Sequence, residues 1–235
     1  MTSPPAPSGG WRRAVVREVG HDGPRFAVVR LEVDDRVPHL PGQHYVIRLR
    51  AEDGYTASRS YSIASAPSDD LVEICVKRLP QGEVSEFLAD VVRAGDELEV
   101  RGPLGGWFVW DGSAPALAVG GGSGVVPLVS MLRHARDIGL RDRICLVAAA
   151  STRDDLPYVD EILGGCNVVA LSREAGPDGR LAGRLTAADI EAHWIPAETV
   201  YVCGSASFAE ATTRLLVDLG VDPASVRVER FGPSA

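Results

Sequence analysis

The sequence predicts a β + α/β chain in which an N-terminal antiparallel β-barrel is followed by a doubly wound parallel sheet. Three observations predict it. Up to about residue 111 the apolar runs are short, and Gly, Pro or Asp turn material separates them. From "APALAVG" (residues 114–120) onward the rhythm changes to strand–helix–strand, the alternation of a parallel sheet. Between the first two strands of that second half, Leu128, Met131, Leu132 and Ala135 recur at i, i+3, i+4 and i+7, one face of a helix over Val125–Ile138.

In chain order, "RRAVVREV", "FAVVRLEV", "HYVIRL", "RSYSIA", "LVEICVKRL" and "DELEVRG" are the barrel strands, with one helix interrupting them near "VSEFLADVV". "ALAVG", "RICLVAA", "NVVALS", "TVYVCG" and "VRVERF" are the strands of the parallel sheet. "WDGSAP" (residues 110–115) is the hinge. The expected organisation is therefore a barrel domain over residues 11–112 and an α/β domain over 113–235. Residues 1–10, rich in Pro, Ser and Gly and without a charged-then-apolar signal pattern, are read as a flexible lead-in.

Composition narrows the function classes. Of 235 residues, 45% are hydrophobic and 24% charged, enough for a real core. The net charge of −8 divides evenly, 13 basic against 17 acidic residues in 1–112 and 11 against 15 in 113–235. No basic face advertises nucleic acid or an anionic membrane. No apolar run approaches the length of a membrane span, so a soluble cytoplasmic protein is expected. Cys75, Cys145, Cys166 and Cys203 are too scattered for an iron–sulfur cluster or a disulfide framework. His21, His39, His44, His134 and His193 form no ligand spacing, so no metal site is expected. Cys75, Cys145 and Cys166 read as buried small hydrophobes, and Trp107 and Trp110 as closing the barrel at the domain junction.

Four stretches carry chemistry. In "RSYSIASAP" (residues 59–67), strand alternation puts Arg59 and Tyr61 on one face, suited to a ligand with an anionic end and a flat ring; an ordinary exposed Arg–Tyr pair is the alternative. "LAVGGGSGVVP" (residues 117–127) follows a strand and opens a helix, so Gly122 and Gly124 let backbone amides approach a phosphate, and Pro127 replaces a third glycine in the first turn. The next two strands end in Ser151, Thr152 and Arg153 and in Arg173, with Arg184 beyond. These hydroxyls and guanidiniums match a ribose 2′-phosphate rather than a 2′-hydroxyl; solvated surface arginines are the alternative. Each charge-assisted contact contributes roughly 1.5–3 kcal/mol. One or two would favour the phosphorylated dinucleotide by roughly 10- to 1,000-fold. Finally, Gly82-x-x-Ser85 opens the barrel's helix; Ser85 is either an N-cap or a hydroxyl against a second diphosphate.

Taken in order, "PGQHYVIRL", "RSYSIASAP", "VKRLPQGEVSEFL", "GPLGGWF", "GGGSGVVPLVSML", "TRDDLPYVDEI", "SREAGPDGRLAGRL", "YVCGSASF" and "ERFG" resemble the ferredoxin–NADP⁺ reductase superfamily over nearly the whole chain. The resemblance is to its compact bacterial flavin reductases and oxygenase reductase components. It implies that Arg59 binds the flavin phosphate, Ser60 accompanies it, Tyr61 stacks on the isoalloxazine and Ser62 hydrogen-bonds near its N5. Strict alternation opposes Ser62 to Tyr61, so the strand must bend there. Val76 and Lys77 belong to the same FAD site, and Gly82, Val84 and Ser85 hold the diphosphate, favouring FAD over FMN. Gly121, Gly122 and Gly124 cradle the nicotinamide dinucleotide, with Ser151, Arg153, Arg173 and Arg184 at its 2′-phosphate. Cys203 and Gly204 lie beside the nicotinamide, and Glu229 and Phe231 approach the flavin from the C-terminal end. Ser62, Cys203 and Glu229 are the candidate catalytic residues.

Two departures stand out. Ser205 replaces the proline common after Cys-Gly, and the chain runs four residues past Phe231, a tail that must move if it covers the ring. The expected activity is hydride transfer from NADPH, with NADH the alternative, onto FAD, then electron transfer to a separate acceptor protein: a ferredoxin, a haem protein or an oxygenase component. Other readings are a reductase subunit of a metal- or molybdenum-cofactor enzyme, a reductase of free flavin, quinone or ferric complexes, and a flavin-free binding module.

Overall fold

The computed structural model describes residues 10–177 and 179–232. Residues 1–9 of the expected lead-in over 1–10, and the end of the tail at residues 233–235, lie outside them.

β1 (Arg12–Asp22), β2 (Phe26–Val33), β3 (His44–Arg50), β4 (Thr56–Ser62), β5 (Val72–Lys77) and β6 (Glu97–Leu104) form an antiparallel sheet in the order β4-β3-β6-β1-β2-β5. The two edges meet through an Ile63–Ile74 bridge and an Ala64 N–H bond to Glu73 O at 2.8 Å, which curls the sheet into a barrel. Val16, Leu31, Tyr45, Ile47, Ile74 and Val100 fill it. The helix expected over 84–92 is shorter and mixed: α1 (Glu83–Glu86) runs into a π-helical turn at Phe87–Val91. Val84, Leu88 and Val92, four residues apart, are all buried in the barrel core.

β7 (Ala116–Gly121), β8 (Ile144–Ala150), β9 (Val168–Leu171), β10 (Thr199–Ser205) and β11 (Val226–Phe231) form a parallel sheet ordered β11-β10-β7-β8-β9. The expected helix over 125–138 begins with a 3₁₀ turn at Gly122–Val125, and α2 proper is Val126–Asp137 with Pro127 in its first turn. α3 (Val159–Ile162), α4 (Ala187–Ala192) and α5 (Ala206–Asp218) complete the layers. These strands are apolar without alternation because both faces are covered. Ala116, Ala118, Leu146 and Ala148 point to the α2 side, and Leu117, Val119, Cys145 and Val147 to the α5 side.

The two halves share one core, in which Phe26, Ala64, Cys75, Phe108 and Trp110 pack with residues of β7, β8 and α2. A charge network ties the same junction. Glu73 of β5, 3% exposed, accepts from Arg133 of α2 at 2.7 Å, Arg30 at 2.8 Å and the Tyr158 hydroxyl at 2.8 Å. Arg133 also forks onto Glu161. On the other flank, Asp155 accepts from Arg25 at 2.6 Å and Lys77 at 3.3 Å.

Trp110 is buried at this junction and donates to Ala114 O at 2.8 Å. Trp107 is not: it is 65% exposed, with one ring face under the Arg227 guanidinium. The expected pair of closing tryptophans is a single one, because Phe108 takes the inward position next to Tyr201. Cys166 is likewise half-exposed rather than buried.

Candidate functional site

A cleft of about 1360 Å³ opens between the barrel and the C-terminal ends of the parallel strands. Open α/β sheets bind ligands at that end, and β7, where the strand order reverses, lies at its centre.

The barrel wall is built by β4 and α1. All four residues Arg59–Ser62 line the cleft. β4 keeps its register with β3 through Tyr61 and Ser62, paired with Tyr45 and His44, and the chain then passes into the Ile63–Ile74 bridge; the expected bend between Tyr61 and Ser62 is absent, yet both line the cleft. Arg59 donates to Ser58 O at 2.7 Å. The Tyr61 phenol is pushed well up by burial, so it stays neutral. Ser62 is buried, and its Oγ has no hydrogen-bond partner. At α1, Gly82 is the N-cap, and a Cβ there would sit 2.3 Å from Ser85 Oγ and 3.0 Å from Leu79 O. Only glycine fits. Ser85 Oγ donates back to Gly82 O at 3.1 Å, and Gly82, Val84, Ser85 and Lys77 all line the cleft. Val76 does not; its side chain is wholly buried in the barrel.

The opposite wall comes from the α/β half. Gly121 and Gly122 line the cleft beside Ser151, Arg173 and Arg184. Gly124 lies behind them: a Cβ on it would be 2.3 Å from Cys203 O, so this glycine lets the turn seat on β10. Cys203 and Gly204 also stand behind the lining, and burial first, then the Glu229 charge, pushes the Cys203 thiol far up. Arg153 is outside the lining; its guanidinium pairs with Asp160 at 2.6 Å and its amide with Glu174 at 2.5 Å. Asp155 is in the lining but is engaged by Arg25 and Lys77. Ser205, standing where proline is common, caps α5 by accepting from Phe208 N at 3.2 Å. Glu229 and Phe231 enter from β11. Glu229 Oε2 is buried without a partner, and burial pushes the carboxyl up to about 7.

Several lining residues lie within the quoted motifs but were assigned no role from the sequence. His44 is the register partner of Ser62, and burial lowers its imidazole. Phe208, Ser207 and Arg230 also reach the cleft. His44 was legible in principle, because it follows the Pro41-Gly42 turn and opens the strand paired with "RSYS". Among the described residues, no group of three His, Cys, Asp or Glu could hold a metal ion.

The residues fit a flavin dinucleotide and a nicotinamide dinucleotide facing one another. Two buried polar atoms, Ser62 Oγ and Glu229 Oε2, await partners from opposite walls. The Gly82 cradle and the Gly121–Gly122 turn each present first-turn amides suited to a phosphate. Fold and cleft together define an FAD-dependent NAD(P)H oxidoreductase.

The comparisons with known proteins are specific. Residues 14–109 match the oxidoreductase FAD-binding domain family and residues 118–214 the oxidoreductase NAD-binding domain family. The chain belongs to the ferredoxin–NADP⁺ reductase superfamily. It is 29% identical over 93% of its length to the ferredoxin–NAD(P)⁺ reductase component of a Ralstonia naphthalene 1,2-dioxygenase/salicylate 5-hydroxylase system, covering 67% of that protein. A Deinococcus radiodurans flavohemoprotein is 32% identical over 83% of the chain, which spans only 52% of it, about half its length. The crystal structure of an Amycolatopsis cytochrome P450 reductase superposes with a TM-score of 0.80 at 26% identity, covering 96% of this chain and 71% of that one.

Proposed function

We propose that this chain takes reducing equivalents from NADPH through FAD and delivers electrons to a separate acceptor protein: a ferredoxin, a haem protein or an oxygenase component. The observation that carries the reading is the single cleft with a flavin-type wall, Arg59–Ser62 and Gly82–Ser85, facing a dinucleotide-type wall, Gly121–Gly122 with Arg173 and Arg184. The relatives' names support the acceptor classes: a dioxygenase reductase component, a flavohemoprotein and a P450 reductase.

FAD, when bound, supplies the exchange between two-electron donors and one-electron acceptors. The chain's own groups bind and orient. Arg59 and the α1 amides hold phosphate charge, the neutral Tyr61 ring offers a flat apolar surface, and Ser62 offers a hydroxyl from a buried position. Glu229, with a carboxyl near neutrality, holds or releases a proton at Oε2. The Gly124–Cys203 contact sets how closely the dinucleotide turn approaches β10. Arg173 and Arg184 favour NADPH over NADH, whereas the Arg153 guanidinium is engaged by Asp160. The cytoplasm is the compartment this reading requires, and the four free thiols are consistent with it.

The test is an anaerobic titration of the FAD-loaded protein with NADPH, following the flavin absorption band. Stoichiometric bleaching is expected, with NADH less effective. If neither nucleotide bleaches a loaded flavin, the reading is wrong.

A further inference from the structure

At the end of the parallel sheet opposite the cleft, β8 and β9 bring two thiols together. β8 and β9 pair in parallel with Val147 opposite Val168. Cys145 lies two residues before Val147 on β8, and Cys166 two residues before Val168 on the approach to β9. The side chains lean across the gap reciprocally: Cys145 Sγ touches Cys166 O, and Cys166 Sγ lies 3.5 Å from Ile144 O. Both belong to the same apolar cluster under α4 and α5. The backbone on either side is clipped. Leu146 N donates to Asn167 Oδ1 at 2.8 Å, Asn167 Nδ2 donates to Ile162 O at 2.7 Å, and His193 Nδ1 donates to Cys166 O at 2.8 Å. Cys145 is fully buried and Cys166 is half-exposed.

We propose that Cys145 and Cys166 form a redox-active dithiol, which hydrogen peroxide or an organic hydroperoxide closes to a disulfide that staples edge strand β9 to β8. The Cys166 thiolate attacks one peroxide oxygen; the O–O bond breaks, water or an alcohol leaves after protonation, and Cys166 becomes a sulfenic acid. Cys145 sulfur then attacks Cys166 sulfur; the S–O bond breaks, the S–S bond forms, and water leaves with the Cys145 proton. The two sulfurs together lose two electrons, and these reduce the peroxide.

The division of roles follows from position. Cys166 is the one that solvent reaches, and the neighbouring Cys145 thiol draws its proton affinity down against the cost of burial. Arg141 assists and Asp142 opposes. Cys145 is pushed above the ordinary thiol range and acts second. Cys75 and Cys203 are buried away from this pair, and burial pushes both thiols up.

The test uses the full-length protein loaded with FAD. It is exposed to hydrogen peroxide, quenched with an alkylating reagent and mapped by mass spectrometry without reductant. The expected product is one linked peptide pair containing Cys145 and Cys166, two hydrogens lighter than the separate peptides and restored by dithiothreitol. Its melting temperature should rise by about 5–10 °C, the effect of closing a loop of this size. With dimedone present, Cys145→Ser should trap the sulfenic acid on Cys166, and Cys166→Ser should give neither adduct nor link. The wild-type map decides the question even if a variant fails to fold. Unlinked thiols, over-oxidation of Cys166 without a link, or a link to any other cysteine would each overturn the proposal.

Discussion

Glu229 stands directly opposite Cys203 across the parallel β10–β11 pair, and both are withdrawn from solvent. The carboxyl reaches the cleft lining while the thiol remains behind it. The influence runs one way, from the carboxyl to the thiol. Burial alone accounts for Glu229, whereas Cys203 feels burial and then the Glu229 charge. A thiol held this firmly protonated is a packing group at neutral pH, and the titrating member of the pair is Glu229.

The pH dependence follows from that asymmetry. Glu229 is raised from 4.5 to about 7 in the folded state, so its contribution to stability is fully present below 4.5 and is lost as pH rises through about 7. The loss is on the order of 3 kcal/mol. Glu229→Gln should flatten the stability–pH curve between pH 5 and 8 and remove an inflection near pH 7 from the rate of flavin reduction. Denaturant melts and stopped-flow traces across that range check both.

Glu73 carries the opposite sign. Burial pushes its carboxyl up, but Arg133, Arg30 and Tyr158 together hold it below its ordinary value. Its stabilisation is present above the unfolded carboxylate range and lost as pH falls through the lowered folded value. Arg133→Met leaves Glu73 and Glu161 without that guanidinium at the junction of the two halves. The expected cost is about 3–5 kcal/mol, measured by urea denaturation, with the largest difference from wild type at neutral pH.

Gly124→Ala places a methyl 2.3 Å from Cys203 O, a backbone atom in a parallel strand that cannot swing aside. The dinucleotide turn must lift from β10. NADPH affinity should fall at least tenfold and the melting temperature should drop, while FAD content is retained because the Gly82 cradle is untouched.

Arg173→Ala and Arg184→Ala remove guanidiniums from the dinucleotide wall. Each should raise the KM for NADPH roughly 10-fold or more and leave that for NADH within about twofold. Arg153→Ala, whose guanidinium pairs with Asp160, should change neither appreciably. Initial rates with both nucleotides distinguish the three.

Much of the fold was legible because it rests on local chemistry. The runs at 26–33 and 226–231 coincide with β2 and β11, and the strand–helix alternation yields the parallel order β11-β10-β7-β8-β9. The shortfall at α1 has a local cause too. Val84, Leu88 and Val92 bury on the barrel, and the chain accommodates them with a π-helical turn that apolar spacing alone does not distinguish from α. Arg153 looked equivalent to Arg173, since both stand at strand ends, with Arg184 joining them if its loop folds back. Only the turn into α3 brings Asp160 within 2.6 Å and occupies it.

Composition and pattern by themselves determined the two domain types, the glycine turns at Gly82 and Gly122–Gly124 and the polar stretch Arg59–Ser62, because each depends on the conformational preferences of neighbouring residues. Tertiary structure decided which of those groups meet: His44 with Ser62, Glu229 with Cys203, Glu73 with Arg133, and Cys145 with Cys166. Each pairing depends on strand register or on how the two halves pack. A one-residue slip reverses the face of every side chain in a strand, so no local preference specifies these encounters.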